Sequence, residues 1–359
     1  MMDEFDVVVV GGRCAGAALA TLLCRSGLRV CVVDRARFPS NTPSTHFVQP
    51  AGVQVLERLA VLPRLLELAP AVEAIRLRFG ELSVEAAGGV SRLGAPGICV
   101  RRPALDEVLI EAAAQAGADV RTATAVTGLR EEGGRVVGVS TTAGEIRAAL
   151  VVGADGASST VASLVGAREY DVTQPARMFL WGYFKGARLP AGPPAIWIGK
   201  VATTGFLGCP TDAGLYMAGV TIDLDQKREV MADRERSLRE HISHWPELAD
   251  IVGDAEMVEL HAMTKWRGFL RVSAGPGWAL VGDAGHFKDP TPGQGISDAF
   301  RQASRLAESI AAALPDGPQR LDAALNEWWR WRDEDAWQMY WFAHDLGAAG
   351  ESSLVVREI

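Results

Sequence analysis

Several features are scarce or missing in this sequence, and each absence excludes a class of protein. Its 359 residues include only five cysteines, an odd number with no Cys-x-x-Cys pair, so a disulfide scaffold is not expected. The sequence starts with acidic residues where a signal peptide would be basic. No run of about 18 apolar residues occurs, which predicts that no helix spans a membrane. We therefore expect a reduced, cytoplasmic protein, and we expect no metal site.

Positive charge is also in short supply. The formal net charge is −8, and no dense block of lysine and arginine appears. Without a basic field the chain is not expected to bind nucleic acid or anionic lipid. The sequence has no internal repeat and no low-complexity linker, and its length with 48% hydrophobic residues predicts two closely packed domains.

The N-terminal segment has the pattern of a βαβ unit. The valine run at residues 7–10 leads into a glycine-rich turn, an Ala/Leu helix and a second apolar strand. Such a turn presents free N–H groups and a helix dipole to a pyrophosphate. Gly11 permits the tight turn, and Gly16 lets helix and strand approach each other. Arg13 occupies the position where the motif normally has its second glycine. The Arg13 side chain either points away from the phosphate or contacts it.

Asp34 ends the second strand, where a carboxylate can accept hydrogen bonds from an adenosine ribose. An acid at this point disfavours a 2′-phosphate, so the resident nucleotide is expected to be FAD or NAD. Arg35 follows directly and is a further candidate contact.

Two later stretches distinguish FAD from NAD. The stretch from Trp278 to Ala299 contains Gly282-Asp283 followed by a Gly/Pro loop, and residues 152–159 contain Asp155-Gly156. Together with the first motif, they resemble the fingerprints of para-hydroxybenzoate-hydroxylase-like flavoproteins, a superfamily that includes group A flavin monooxygenases and geranylgeranyl reductases. The sequence is therefore expected to bind FAD non-covalently.

The resemblance implies roles for individual residues. In the family, the aspartate matching Asp283 binds a ribityl hydroxyl, and the amides matching Ile296 and Ser297 face the N1/O2 edge of the flavin. The arginine matching Arg102 starts a helix near the phosphate and ribityl chain, and the neighbouring Arg101 competes for that assignment. The full set of cofactor-binding candidates is Gly11, Gly12, Arg13, Cys14, Ala15, Gly16, Asp34, Arg35, Arg102, Asp155, Gly282, Asp283, Pro290, Gly293, Gln294, Gly295, Ile296 and Ser297.

The expected fold class is α/β with an α+β insert. It comprises a Rossmann-type FAD-binding domain, a second and mostly antiparallel β-sheet domain for the substrate, and a C-terminal helix. The predicted boundaries are 1–70, 98–166 and 268–318 for the FAD-binding domain, 71–97 and 167–267 for the substrate domain, and 319–346 for the helix.

Aromatic residues in the middle domain suggest a substrate pocket. Phe179, Trp181 and Tyr183 alternate along one predicted strand, so their side chains share a face. The pocket candidates on this and neighbouring strands are Trp181, Tyr183, Trp197, Phe206 and Tyr216. They predict a fairly large, mainly apolar or aromatic small-molecule substrate. The alternative is that this face packs the sheet onto its own helix.

His46 lies in a loop where the family runs its chain along the flavin ring, and it is the candidate proton carrier; a structural histidine is the alternative. The resemblance implies a monooxygenase in which NAD(P)H reduces FAD and one oxygen atom of O2 reaches the substrate. No second dinucleotide turn exists, so NAD(P)H binds transiently in the interdomain cleft or a separate flavin reductase supplies electrons.

Other functions stay open at this point. A reductase of the geranylgeranyl-reductase type shares the scaffold, and a non-catalytic nucleotide-binding protein is a more distant alternative. An NAD dehydrogenase would leave residues 282–299 unexplained. A halogenase is disfavoured because no Trp-x-Trp-x-Ile-Pro segment occurs.

Overall fold

The structure is a computed structural model that describes residues 3–87 and 96–351. Residues 1–2, assigned above to the FAD-binding domain, and residues 88–95, assigned to the substrate domain, lie outside the described residues. The helices are α1 Cys14–Arg25, α2 Pro50–Arg58, α3 Leu62–Leu68, α4 Arg102–Gln115, α5 Thr160–Leu164, α6 Lys227–Ala232, α7 Arg234–Ile242, α8 Pro246–Val252, α9 Gly295–Ala313 and α10 Pro318–Leu346.

The strands form several sheets, of which two are large. They are β1 Asp3–Val10, β2 Val30–Val33, β3 Phe47–Val48, β4 Ala71–Val72, β5 Ala74–Phe79, β6 Leu82–Ala87, β7 Gly97–Cys99, β8 Asp119–Arg121, β9 Val126–Glu132, β10 Arg135–Thr141, β11 Gly144–Gly153, β12 Glu169–Thr173, β13 Arg177–Lys185, β14 Ala195–Val201, β15 Thr204–Pro210, β16 Leu215–Asp223, β17 Glu256–Met263, β18 Gly268–Arg271, β19 Ala274–Gly275, β20 Trp278–Leu280 and β21 His286–Phe287.

The first large sheet carries the dinucleotide turn. Its strand order is β19-β20-β11-β1-β2-β8, and all neighbouring pairs from β20 to β8 are parallel. Helices cover parallel sheets, which explains why the valine run of β1 is fully buried. Val10 pairs with Val33 at the end of β2, so the glycine turn and Asp34 begin side by side at the carboxyl edge of the sheet.

The second large sheet has the order β17-β13-β16-β15-β14-β5-β6 and is antiparallel except for the β14–β5 pair. One face packs against α6, α7 and α8 through residues such as Val230, Leu238 and Leu248. The other face carries Phe179 and Trp181 and packs against β3 and β7. This architecture and the long helix α10 confirm the predicted fold class. Among the described residues, no helix is both long and apolar enough to cross a membrane.

Candidate cofactor and substrate site

A cavity of about 590 Å³ lies between the carboxyl edge of the first large sheet and the aromatic face of the second. It brings together residues that are far apart in sequence, from the glycine turn to the start of α9. The predicted cofactor residues that line it are Gly11, Arg13, Cys14, Ala15, Asp34, Arg35, Arg102, Asp155, Asp283, Pro290, Gly293, Gly295 and Ile296. The predicted residues His46 and Trp181 also line it.

The remaining predicted glycines shape the site from behind. A Cβ on Gly16 would lie 1.8 Å from the carbonyl oxygen of Gly11, and a Cβ on Gly282 would lie 3.0 Å from the Cβ of Ala15. Gly12 does not line the cavity, and its N–H donates to the Asp34 carboxylate at 2.7 Å. These three glycines therefore permit close packing around the turn.

Two predicted residues at the start of α9 also lie outside the cavity lining. Gln294 is the residue that precedes the helix. The Ser297 hydroxyl accepts a hydrogen bond from the N–H of Gln49 at 2.8 Å, which ties the start of α2 to α9. The side chain of Ser297 is therefore engaged within the protein.

The first turn has the shape that a pyrophosphate requires. Gly11 has a φ of 102°, and a Cβ there would lie 2.4 Å from the Ala154 carbonyl oxygen, so only glycine fits. The two oxygens of Asp34 each accept a backbone N–H at 2.7 Å, from Gly12 and from Ala36. A carboxylate oxygen has a second lone pair, so Asp34 can still accept hydrogen bonds from ribose hydroxyls.

Asp283 lies in a short 3-10 turn, Gly282–Ala284, which Val281 connects to the end of β20. Burial raises the pKa of this carboxyl to about 6, while Arg102 and Lys288 oppose the rise and Asp298 adds to it. The carboxyl lines the cavity and has no protein hydrogen-bond partner among the described residues that would compete with a ligand hydroxyl.

Asp155 has a structural role as well as a place in the cavity wall. One of its oxygens accepts the N–H groups of Thr160 and Val161, at 2.7 and 3.3 Å, and so caps α5. Its other oxygen is buried and has no partner among the described residues. The carboxylate therefore caps the helix, and the same residue forms part of the cavity wall.

The loop before α9 leaves room for a planar group. A Cβ on Gly293 or Gly295 would meet no atom within 4 Å, so side chains there would project into open space beside the loop. The N–H groups of the first turn of α9 have no acceptor within the helix, and the helix dipole is positive at this end. Such a helix start stabilises negative charge on a ring placed against it.

Sequence reasoning missed the buried charges behind this loop. Lys288 lines the cavity and forms an ion pair with Asp298 in the first turn of α9. Asp289 also lines the cavity and accepts the N–H of Thr291 at 2.9 Å. The signal that could have revealed them is a Lys-Asp pair inside an otherwise Gly/Pro-rich loop.

His46 has a backbone conformation that is rare for its residue type, with a φ of 62°. Its ring stacks on Tyr183 at a centroid distance of 5.6 Å, and its Nδ1 has no hydrogen-bond partner among the described residues. Burial lowers the pKa of His46 well below its ordinary value, and the nearby charges of Arg102, His261 and Arg101 lower it further. The imidazole that lines the cavity is therefore neutral, because burial and the neighbouring positive charges disfavour its protonated form.

The aromatic wall is smaller than the sequence predicted. Phe179 and Trp181 line the cavity with Met263 from the neighbouring strand, whereas Tyr183 lies beneath His46 and is only 1% exposed. The strand alternation is correct, but Tyr183 sits one layer too deep to line the cavity.

The proposed extension of this wall is wrong. Trp197, Phe206 and Tyr216 lie on the opposite face, where the first two pack edge-on against Trp245 at 5.5 and 5.6 Å. Strand register is the reason: Tyr216 pairs with Phe184, whose side chain alternates to the face opposite Tyr183. These three residues belong to the core between the sheet and its helices.

The residues present fit FAD. The turn leaves no room for a side chain at Gly11, Asp34 keeps lone pairs for a ribose, and the α9 loop leaves open space for a flat ring. A polar atom of Asp155 is buried without a partner beside the same cavity. Within the described ranges no group of three or more His, Cys, Asp or Glu residues could hold a metal ion.

Curated proteins with three different activities are similar to this chain. A tryptophan 2-halogenase from Chondromyces crocatus is 27% identical over 86% of this chain, although the match covers 61% of that protein's length. A menaquinone reductase from Mycolicibacterium smegmatis is 30% identical over 86% of this chain and 77% of its own. A 6-methylpretetramide 4-monooxygenase from Streptomyces rimosus is 31% identical over 83% of this chain and 73% of its own.

Solved structures share the fold. A myxobacterial chondrochloren halogenase superposes with a TM-score of 0.85 at 23% identity, covering 99% of this chain and 88% of that one. PqsL from Pseudomonas aeruginosa, a probable FAD-dependent monooxygenase, gives a TM-score of 0.82 at 22% identity and covers 96% of both chains. A family model described as "FAD binding domain" matches residues 4–339. The chain therefore belongs to this FAD-binding family, which confirms the resemblance seen in its motifs, and it is an FAD-dependent oxidoreductase.

Proposed function

We propose that the protein is a monooxygenase that uses NAD(P)H and O2 to hydroxylate a mainly apolar or aromatic organic molecule. The observation that carries this proposal is the continuity of the cavity, whose lining includes both the cofactor residues around Asp283 and the aromatic side chains Phe179 and Trp181. A substrate on that wall lies in the same space as the ring end of the cofactor site. The similarity to a 6-methylpretetramide 4-monooxygenase supports the same activity.

When bound, FAD supplies the electron transfer and oxygen chemistry, and the protein binds, orients and shields the reactants. Phe179 and Trp181 hold the substrate by apolar burial. In this proposal the neutral His46, which lines the cavity, orients the substrate by a hydrogen bond and is the candidate proton carrier. The free N–H groups at the start of α9 stabilise negative charge on the reduced ring.

The electron donor belongs to the proposal as well. The described chain has its dinucleotide turn at residues 11–16, and this turn borders the proposed FAD site. NAD(P)H therefore binds transiently in the cleft, or a separate flavin reductase delivers the electrons. The predicted cytoplasmic location stays a prediction, which the five free cysteines support.

The reductase alternative rests on a specific observation, the 30% identity to a menaquinone reductase. Oxygen dependence separates the two activities. The purified protein is incubated with NADH or NADPH and a panel of apolar and aromatic compounds, in 18O2 and under strict anaerobiosis. We expect a product carrying one 18O atom. A product gaining two hydrogens at full rate without oxygen would select the reductase, and a product that requires added chloride or bromide would select a halogenase.

A further inference from the structure

The residue that replaces the second glycine of the dinucleotide motif makes specific contacts. Arg13 has φ −92° and ψ −162°, a backbone conformation that any residue can adopt. Its guanidinium donates to the Asp106 carboxylate at 2.6 Å and to the Ser40 carbonyl and hydroxyl oxygens at 3.2 and 2.9 Å. The same group lies 5.5 Å from the ring centre of Phe38. The side chain is therefore held in place, and the backbone turn keeps its shape.

Asp106 lies at the centre of a buried cluster of charges. It is fully buried in α4, and its second oxygen accepts from Arg102 Nε at 3.0 Å and lies 3.5 Å from the Cys14 sulfur. One carboxylate thus joins two guanidinium groups, each of which binds a different oxygen. The cluster carries a net charge of about +1, since Arg remains protonated. Both arginines line the cavity, whereas Asp106 stands behind them.

We propose that Arg13 and Arg102 form a two-arginine clamp for the FAD pyrophosphate and that Asp106 is the positioning residue that holds the clamp open toward the cavity. Arginine suits this task because one edge of the guanidinium can pair with the carboxylate while other N–H groups face a phosphate. Asp106 and Ser40 use three of the five N–H donors of Arg13, which leaves donors for the cofactor.

The clamp also acts on the neighbouring loop. Residues 41–46 line the cavity, and Ser40 at the base of this segment is fixed by Arg13. The same guanidinium therefore contacts the phosphate and anchors the segment that covers the cofactor. A motif glycine at position 13 would provide neither contact, so cofactor release should depend strongly on this one side chain.

The first test measures FAD release from the holoenzyme after dilution, followed by the fluorescence of free flavin. Arg13→Gly restores the glycine of the motif, and Asp106→Asn keeps the volume of the carboxylate. Each should speed release by about 10- to 100-fold, as expected for lost charge-assisted hydrogen bonds. Asp322→Asn is the control, because it breaks an ion pair with Arg135 at 2.5 Å that lies outside the cavity lining. Release from the control should be unchanged.

Asp106→Asn is a more decisive test than Arg13→Gly, because it has two opposing effects on the rate of FAD release. Removing a negative charge near a phosphate would by itself slow release, whereas loss of positioning speeds it. Unchanged or slower release from Asp106→Asn would overturn the clamp. In the double variant the two effects should be less than multiplicative, because both act through Arg13. A fully multiplicative effect would also contradict the proposal.

A second readout separates the clamp from a general loss of structure. The full chain stripped of FAD is melted with ADP or with adenosine, which lacks phosphate. The unsubstituted protein should gain more thermal stability from ADP than from adenosine. Arg13→Gly should remove the advantage of ADP and leave the adenosine effect intact. If Arg13→Gly lost the stabilisation by ADP and the stabilisation by adenosine equally, the variant would merely disturb the fold, and the assignment of Arg13 to the phosphate would be refuted.

Discussion

Replacing Asp283 by Asn should have opposite effects on stability and on FAD retention. The carboxyl lines the cavity, and its pKa is raised to about 6 from an ordinary 3.8, chiefly by burial. A raised carboxyl pKa means that the folded state binds the proton more tightly than the unfolded state. The ionised form is therefore a cost to the FAD-free protein at every pH above about 6.

The magnitude follows from the difference of roughly two pKa units, which corresponds to about 3 kcal/mol. Asp283 is partly exposed to the cavity, so water reduces this figure, and we expect about 1–2 kcal/mol. Asp283→Asn should stabilise the FAD-free protein by that amount at pH 7–8. The gain should shrink as the pH falls from about 6 to about 4, where the native carboxyl is itself protonated. FAD release from the variant should meanwhile become faster, because a neutral amide binds a ribityl hydroxyl more weakly than a carboxylate does.

The assay combines thermal unfolding of FAD-free protein across this pH range with FAD release after dilution. Asp316→Asn serves as the control, since Asp316 is exposed and lies outside the cavity lining, and it should change neither quantity. A less stable Asp283→Asn protein at pH 7 with unchanged FAD release would refute the reasoning, because Asp283 would then support the fold and not the cofactor.

Three further predictions concern other parts of the molecule. Asp34→Ala should weaken FAD binding by about 1–3 kcal/mol in an equilibrium titration; unchanged affinity would remove the ribose assignment. Trp181→Ala should raise KM or uncouple oxygen consumption from product formation, whereas Trp197→Ala should cost about 3–5 kcal/mol of stability in denaturant unfolding and leave KM unchanged; the reverse pattern would place the pocket on the other face. Burial lowers the pKa of Lys200 to about 8, so the unfolded state binds the lysine proton more tightly than the folded state does. Lys200→Met should therefore raise Tm at pH 7, and this gain should shrink as the pH rises from 8 to 10.5. A gain that stays constant with pH would show that the charge is not responsible.

The sequence by itself determined the scaffold and the kind of cofactor. A strand followed by Gly11, with Gly16 in the next helix, is typical of a dinucleotide-binding turn, because local geometry requires glycine at both positions. Asp34 follows β2 directly and Asp283 lies in the short turn just beyond β20, so their positions at the edge of a parallel sheet could be predicted. Alternation along β13 likewise placed Phe179 and Trp181 on one face, since the side-chain period of a strand is fixed.

Only the tertiary structure decided how separate segments meet. Which face Trp197 and Phe206 occupy depends on the register of β14 and β15 against their neighbours, and a shift by one residue moves every side chain to the other face. The role of Arg13 depends on Asp106, which is distant in sequence and comes close only when α4 packs beside α1. Residue spacing along the chain determines local features such as the glycine turn and strand alternation. Strand register and helix packing instead arise from burial across the whole core, and they determine which residues form the arginine clamp and the substrate wall.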